Sequence, residues 1–124
     1  MDDLLDAPVQ EHGPLGAVTR EIVKMHSRHF GRGPRSARSE WVGPDGILCL
    51  MRETFTAAES TLIKGGHGGQ VREVRQSLQD VMKSRFREVL EEILGRRVIA
   101  ILSQIDVDED VAVEFVLLAP RSLS

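Results

Sequence analysis

From Gln70 to Leu94 the chain carries its longest periodic stretch, and that stretch limits what the rest can fold into. Val71, Val74, Leu78, Val81, Met82, Phe86, Val89 and Ile93 recur with the rhythm of one helix face. Glu73, Gln76, Asp80, Lys83, Arg87, Glu88 and Glu91 fall on the opposite side. Gly95 stands where a C-cap glycine belongs, and Arg96 and Arg97 oppose the negative end of the helix dipole. Burial of each large apolar side chain contributes roughly 1.5–3 kcal/mol, so this helix is expected to anchor the core. Arg75 and Arg85 fall inside its apolar arc. Three readings are open for them. They snorkel at the borders of the arc, pair with a strand carboxylate such as Glu40 or Glu114, or face an oligomer or partner interface.

The remaining elements follow from breakers and alternation. Residues 1–14 are acidic, end at Gly13-Pro14 and read as a flexible tail, in which Leu4-Leu5 amid Asp residues has the look of a docking motif. Leu15 to Phe30 repeats Leu15, Val18, Ile22, Met25 and His29 at three and four, a narrow stripe suited to packing on another helix or a second subunit. Gly31-Arg32-Gly33-Pro34 stops that helix. Arg35 to Val42 alternates as a strand, Gly43-Pro44-Asp45-Gly46 is a turn, and Ile47 to Glu53 is the second strand of a hairpin. The run Ile47–Met51 is apolar on both faces, which predicts burial on both. Thr56-Ala57-Ala58-Glu59 is a capping box opening a short helix to Lys64, and Gly65 to Gly69 reads as a non-helical hinge. Val98–Ile105 and Val111–Leu118 form a second hairpin across the acidic turn Asp106–Asp110. The expected fold is α+β in the order α-β-β-α-α-β-β. Two hairpins make one antiparallel four-stranded sheet with the helices on one face, in a single domain over residues 15–118 with a C-terminal tail at 119–124. Strand order does not follow from the pattern.

Composition removes several function classes. With no Tyr, one Trp (Trp41) and four Phe, the chain lacks an aromatic stacking platform, and a net charge of −3 speaks against a general nucleic-acid binder. Cys49 stands alone, so no disulfide forms within the chain and a reducing, cytoplasmic setting is expected. No apolar run approaches the roughly 18–20 residues that span a bilayer, and the acidic N-terminus is the wrong charge for a signal peptide.

The chemistry-bearing constellations are few. Arg28, Arg32, Arg35 and Arg38 bracket the Gly33-Pro34 break and with its amides form a candidate anion or partner site. His26 and His29 are spaced for a metal, with His12 and His67 as remote additions, yet no further ligand stands nearby and no metal or cofactor is expected. On the stripe His29 is the boundary residue and His26 its flank. Asp106, Asp108 and Asp110 begin like a calcium loop, but the glycine and the following helix are missing. Gly66-His67-Gly68-Gly69 between two helices has the form of a KH-domain loop, and a KH-like single-stranded nucleic-acid module is the alternative function, with a small anion sensor beside it. No nucleophile elbow, Walker loop or dinucleotide fingerprint is present, so the expectation is a non-enzymatic protein.

The first helix running into Gly31-Arg32-Gly33-Pro34, the hairpin, Phe55-Thr56-Ala57-Ala58-Glu59, and Val71-Arg72-Glu73-Val74-Arg75 opening a long helix together resemble the MpsC-like family, over about Leu15 to Leu118. The glycine run at Gly65–Gly69 departs from the more charged link of that family. The resemblance implies a small bacterial protein working beside a membrane ion or bicarbonate transporter of a sodium-translocating, membrane-potential-generating system. It implies no catalytic residues. The expectation is therefore an accessory or regulatory protein, cytoplasmic or peripheral to the inner membrane face, homodimeric, with a membrane transporter as partner.

Overall fold

The computed structural model describes residues 13–121. The expected tail lies outside them except for Gly13 and Pro14, which open the first helix, and so do Leu4-Leu5 and His12. The elements run α1 (Gly13–Phe30), β1 (Ser36–Val42), β2 (Gly46–Arg52), α2 (Ala57–Lys64), α3 (Gly68–Leu94), β3 (Val98–Asp106) and β4 (Val111–Leu118). The α+β order is the one expected, and the strands form one antiparallel sheet in the order β1-β2-β4-β3. Both hairpins are therefore present, and the second is inserted so that β4, not β3, lies beside β2.

Local chemistry explains the element ends. The Thr56 hydroxyl accepts from the Glu59 amide at 3.1 Å, and the Glu59 carboxylate accepts from the Thr56 amide at 2.9 Å, a complete capping box on α2. Gly95 closes α3 in the left-handed conformation, φ 64°, where a side chain would be strained. Arg96 turns away from the helix end: its guanidinium meets Asp45 at 2.6 Å and donates to the carbonyls of Pro44 and Ala119, tying the β1–β2 turn to the end of β4. The glycine hinge is shorter than its composition suggests. Gly65 and Gly66 end α2, while Gly68 and Gly69 already belong to the first turn of α3.

The core lies between the helices and one face of the sheet. α1 packs on β1, α3 on β3, and the two helices on each other. Buried strand residues alternate: Ile47, Cys49 and Met51 on β2, Ala112, Glu114, Val116 and Leu118 on β4. Leu48 and Leu50 point the other way and are exposed, so β2 is buried on one face only and the apolar run through Ile47–Met51 supplies an open face as well. The arc of α3 is also rotated from its apparent phase. Val71, Arg75, Met82, Phe86 and Leu90 are buried, whereas Val74 is 58% and Val81 81% exposed. Arg75 lies on the buried line, one turn after Val71, and the two valines sit beyond its edge.

Phe86→Ala should therefore cost about 3–5 kcal/mol, the usual range for emptying a core phenylalanine site. Val81→Ala should stay within about 0.5 kcal/mol, as a surface change does. Urea unfolding of both variants checks the phase of α3: equal losses would put Val81 in the core.

Candidate functional site

Two polar centres lie within the described residues, one on each side of Phe30. The first is Arg75. Its side chain is buried, and its guanidinium is almost fully committed. Nε donates to Glu59 Oε2 at 2.7 Å and Nη2 to Glu59 Oε1 at 2.6 Å, a two-pronged carboxylate pair. Nη1 donates to the Thr54 hydroxyl at 3.1 Å and Nη2 to the Thr54 carbonyl at 2.9 Å. The Phe30 and Phe55 rings face the same group, at 4.4 and 5.0 Å from their centroids. Thr54 is held from its other side by Asp110, whose carboxylate accepts from the Thr54 amide at 2.8 Å, from its hydroxyl at 3.1 Å and from the Phe55 amide at 3.3 Å. Asp110 adopts φ 53°, a conformation open to aspartate in turns. Burial pushes the Glu59 carboxyl up, but its bonds to Arg75 and Thr56 outweigh that and hold it below its ordinary value.

The second centre is a row across the sheet. Strand register puts Ser39 beside Cys49, Cys49 beside Glu114, and Glu114 beside Ser103, so one polar row crosses all four strands beneath the helices. The helices answer it. Thr19 of α1 shares a 2.5 Å hydrogen bond with Ser39, and Gln79 of α3 donates to Glu114 Oε1 at 2.7 Å. The Ser103 hydroxyl donates to Glu114 Oε2. His26 of α1 places Nε2 3.9 Å from Glu114 Oε1, and neither of its ring nitrogens has a hydrogen-bond partner among the described residues. His26 and Glu114 are 2% and 1% exposed. Beside them, between α3 and β3, is a cavity of about 20 Å³ lined by His26, Phe30, Arg75, Gln79, Ser103 and Glu114. That is room for about one water. The arrangement can hold a small polar group. It presents no exposed nucleophile, because Cys49 is buried and Ser103 is engaged by the carboxylate.

The residues singled out from the sequence do not converge. Arg75 is buried inside the domain and does not snorkel at the border of the arc. Of the pairing partners considered for it, neither Glu40 nor Glu114 is used and Glu59 is. Arg85 is on the outer side of α3, paired with Glu88 at 3.3 Å. Arg32 donates to the Phe55 carbonyl at 3.0 Å, Arg35 lies 3.5 Å from Glu53, and Arg38 lies 3.1 Å from Glu40. The arginines are thus spread along β1 and its approach, each matched to an oxygen of this chain, with Arg28 exposed on the last turn of α1. Gly33 is there for contact: a Cβ on it would come within 2.5 Å of the Ser27 hydroxyl. His26 and His29 exchange their expected places, His26 buried and His29 exposed, because His26 lies one turn on from Ile22. Among the described residues no cluster of three or more His, Cys, Asp and Glu is placed to hold a metal.

Over residues 16–120 the chain matches the family described as Na+-translocating membrane potential-generating system (MpsC). No curated protein and no solved structure matches it.

Glu59→Gln leaves a buried guanidinium without its counter-charge and should cost about 3–5 kcal/mol at neutral pH. The folded Glu59 pKa is depressed, so its contribution is complete above the unfolded value and is lost as pH falls through the folded one. Urea titrations from neutral to acid pH should show wild type and E59Q converging. A constant gap would remove the ionised pair as the cause.

Proposed function

The chain belongs to the MpsC family, and we propose that it is a non-enzymatic accessory protein of a membrane-potential-generating system. It acts from the cytoplasmic side, beside a membrane-embedded ion or bicarbonate transporter. The observation that carries this reading is a pairing of coverage with a missing element. The family match spans nearly all of the described fold, and no helix among the described residues is long and apolar enough to cross a membrane. In this reading passage of ions falls to another protein, and this chain's part is contact or control.

Two further observations support a binding role. The buried polar groups are mostly occupied with each other: Arg75 by Glu59 and Thr54, Asp110 by Thr54 and Phe55, Glu114 by Gln79 and Ser103. Groups so committed fix positions and are poorly placed for turnover. The outer side of α3 meanwhile offers Val74, Val81 and Arg85 to the surroundings.

The tagged full chain, expressed in its own host and recovered from detergent-solubilised membranes, should bring a transport protein with it. Mass spectrometry against an untagged control checks this, and a recovery free of any membrane transport protein would overturn the reading.

A further inference from the structure

The face of the sheet turned away from the helices has no cover among the described residues. Its inner rows are apolar. Leu48 stands between Glu40 and Phe115, and Phe115 between Leu48 and Leu102. One row on, Leu50 stands between Arg38 and Val113. Phe115 also lies over Gly46, where a Cβ would meet its ring at 3.0 Å, so the aromatic fills the notch left by the glycine and smooths the face. Leu102 is 62% exposed, and Leu48 and Leu50 are exposed beside it. An antiparallel sheet with one solvated face ordinarily places polar residues at such positions.

We propose that this face seats the same face of a second copy of the chain. Three properties select that occupant. The first is charge. The face carries Arg38 and Glu40 on β1, with Arg52 and Asp106 in the row beyond, one of each sign in each pair. A two-fold interface brings a surface against itself, so it must be self-complementary, and paired opposite charges around an apolar centre satisfy that. An anionic membrane surface or a partner of single charge would leave half of them opposed. The second is shape. Packed sheets lie about 10 Å apart and interdigitate side chains from flat apolar faces, and the centre of this face is apolar, with Leu48 and Leu50 on β2 and Val113, Phe115 and Leu117 on β4. The third is size. Four strands abreast, the shorter two of seven residues, give a footprint of at least roughly 20 Å by 23 Å, on the order of 450 Å² per copy before side-chain relief is added. Two copies bury about 1,000 Å² or somewhat more, the low end for a specific complex, which makes a dimer that depends on concentration.

Sedimentation equilibrium of the full chain across the low to middle micromolar range tests the proposal. Wild type should pass from monomer toward dimer. Leu48→Lys and Leu102→Lys, both at exposed positions, should each weaken association by about tenfold or more while leaving the circular dichroism spectrum and the melting transition of the monomer unchanged. Val81→Lys, on the outer side of α3, should dimerise as wild type does. A wild type that stays monomeric throughout would overturn the proposal, as would a dimer indifferent to both sheet-face variants or one abolished by V81K. A monomeric wild type whose L102K variant alone loses a membrane protein in the recovery experiment would assign the face to that partner instead.

Discussion

A buried guanidinium cannot be left part-solvated: each unmatched donor costs a desolvation penalty that a small domain can hardly absorb. Arg75 meets that demand by drawing in pieces from across the sequence. Glu59 comes from the first turn of α2, Thr54 from the exit of β2, and Phe30 from the end of α1. Asp110, from the turn between β3 and β4, reaches it through Thr54. The capping box that starts α2 is the same carboxylate that neutralises Arg75, so the start of one helix and the burial of a charge on another are a single event. The junction of α2 with α3, a short helix without a buried residue and a glycine link, gains a polar tie to the sheet from this contact set, beside the apolar packing of Val71 and Ile63 with Phe55 and Val107.

That network also marks where sequence reasoning stops. Thr56 and Glu59 were legible as a cap because their spacing is local, and so were Gly95 and the Gly43–Gly46 turn. The hairpins were legible because alternation and β-branching are local too. The phase of α3 was not. Val74 and Val81 look like core by identity and Arg75 looks like border, yet the partners that make Arg75 a core residue come from 16 and 21 positions away in the chain. Hydrophobic identity misplaced the arc, and only the long-range pairing puts it right. Asp110 was hidden for the same reason: within an acidic turn nothing local separates the carboxylate that holds Thr54 from its neighbours that face solvent. The row Ser39–Cys49–Glu114–Ser103 needs strand order, which periodicity does not carry.

The row is a second constraint, of another kind. Burying Glu114 is costly, and replacing it with an apolar residue would often be neutral or stabilising. What it provides is register. A slip of β4 by one residue would turn Glu114 out and bring Val113 or Phe115 under the helices, losing its bonds to Gln79 and Ser103 together. Thr19 and Ser39 do the same for α1 over β1. Each large helix is thus tied by a hydrogen bond to the same transverse line of the sheet, and His26 lies over that line with neither ring nitrogen hydrogen-bonded among the described residues.

Fixing the register fixes the other face as well, and here the composition is informative. Once Glu114 holds β4, the outward positions Val113, Phe115 and Leu117 have no part in the helix-side core, nor do Leu48 and Leu50 on β2. Polar residues at those places would leave the core unaltered and would guard an exposed sheet against non-specific association. The chain instead confines charge to the edges of that face and keeps its centre apolar. Such a distribution leaves apolar surface in water among the described residues, and covering it would be favourable. A surface outside the helix-side core, held in register by the polar row beneath it, is thus the part of this fold best suited to recognition.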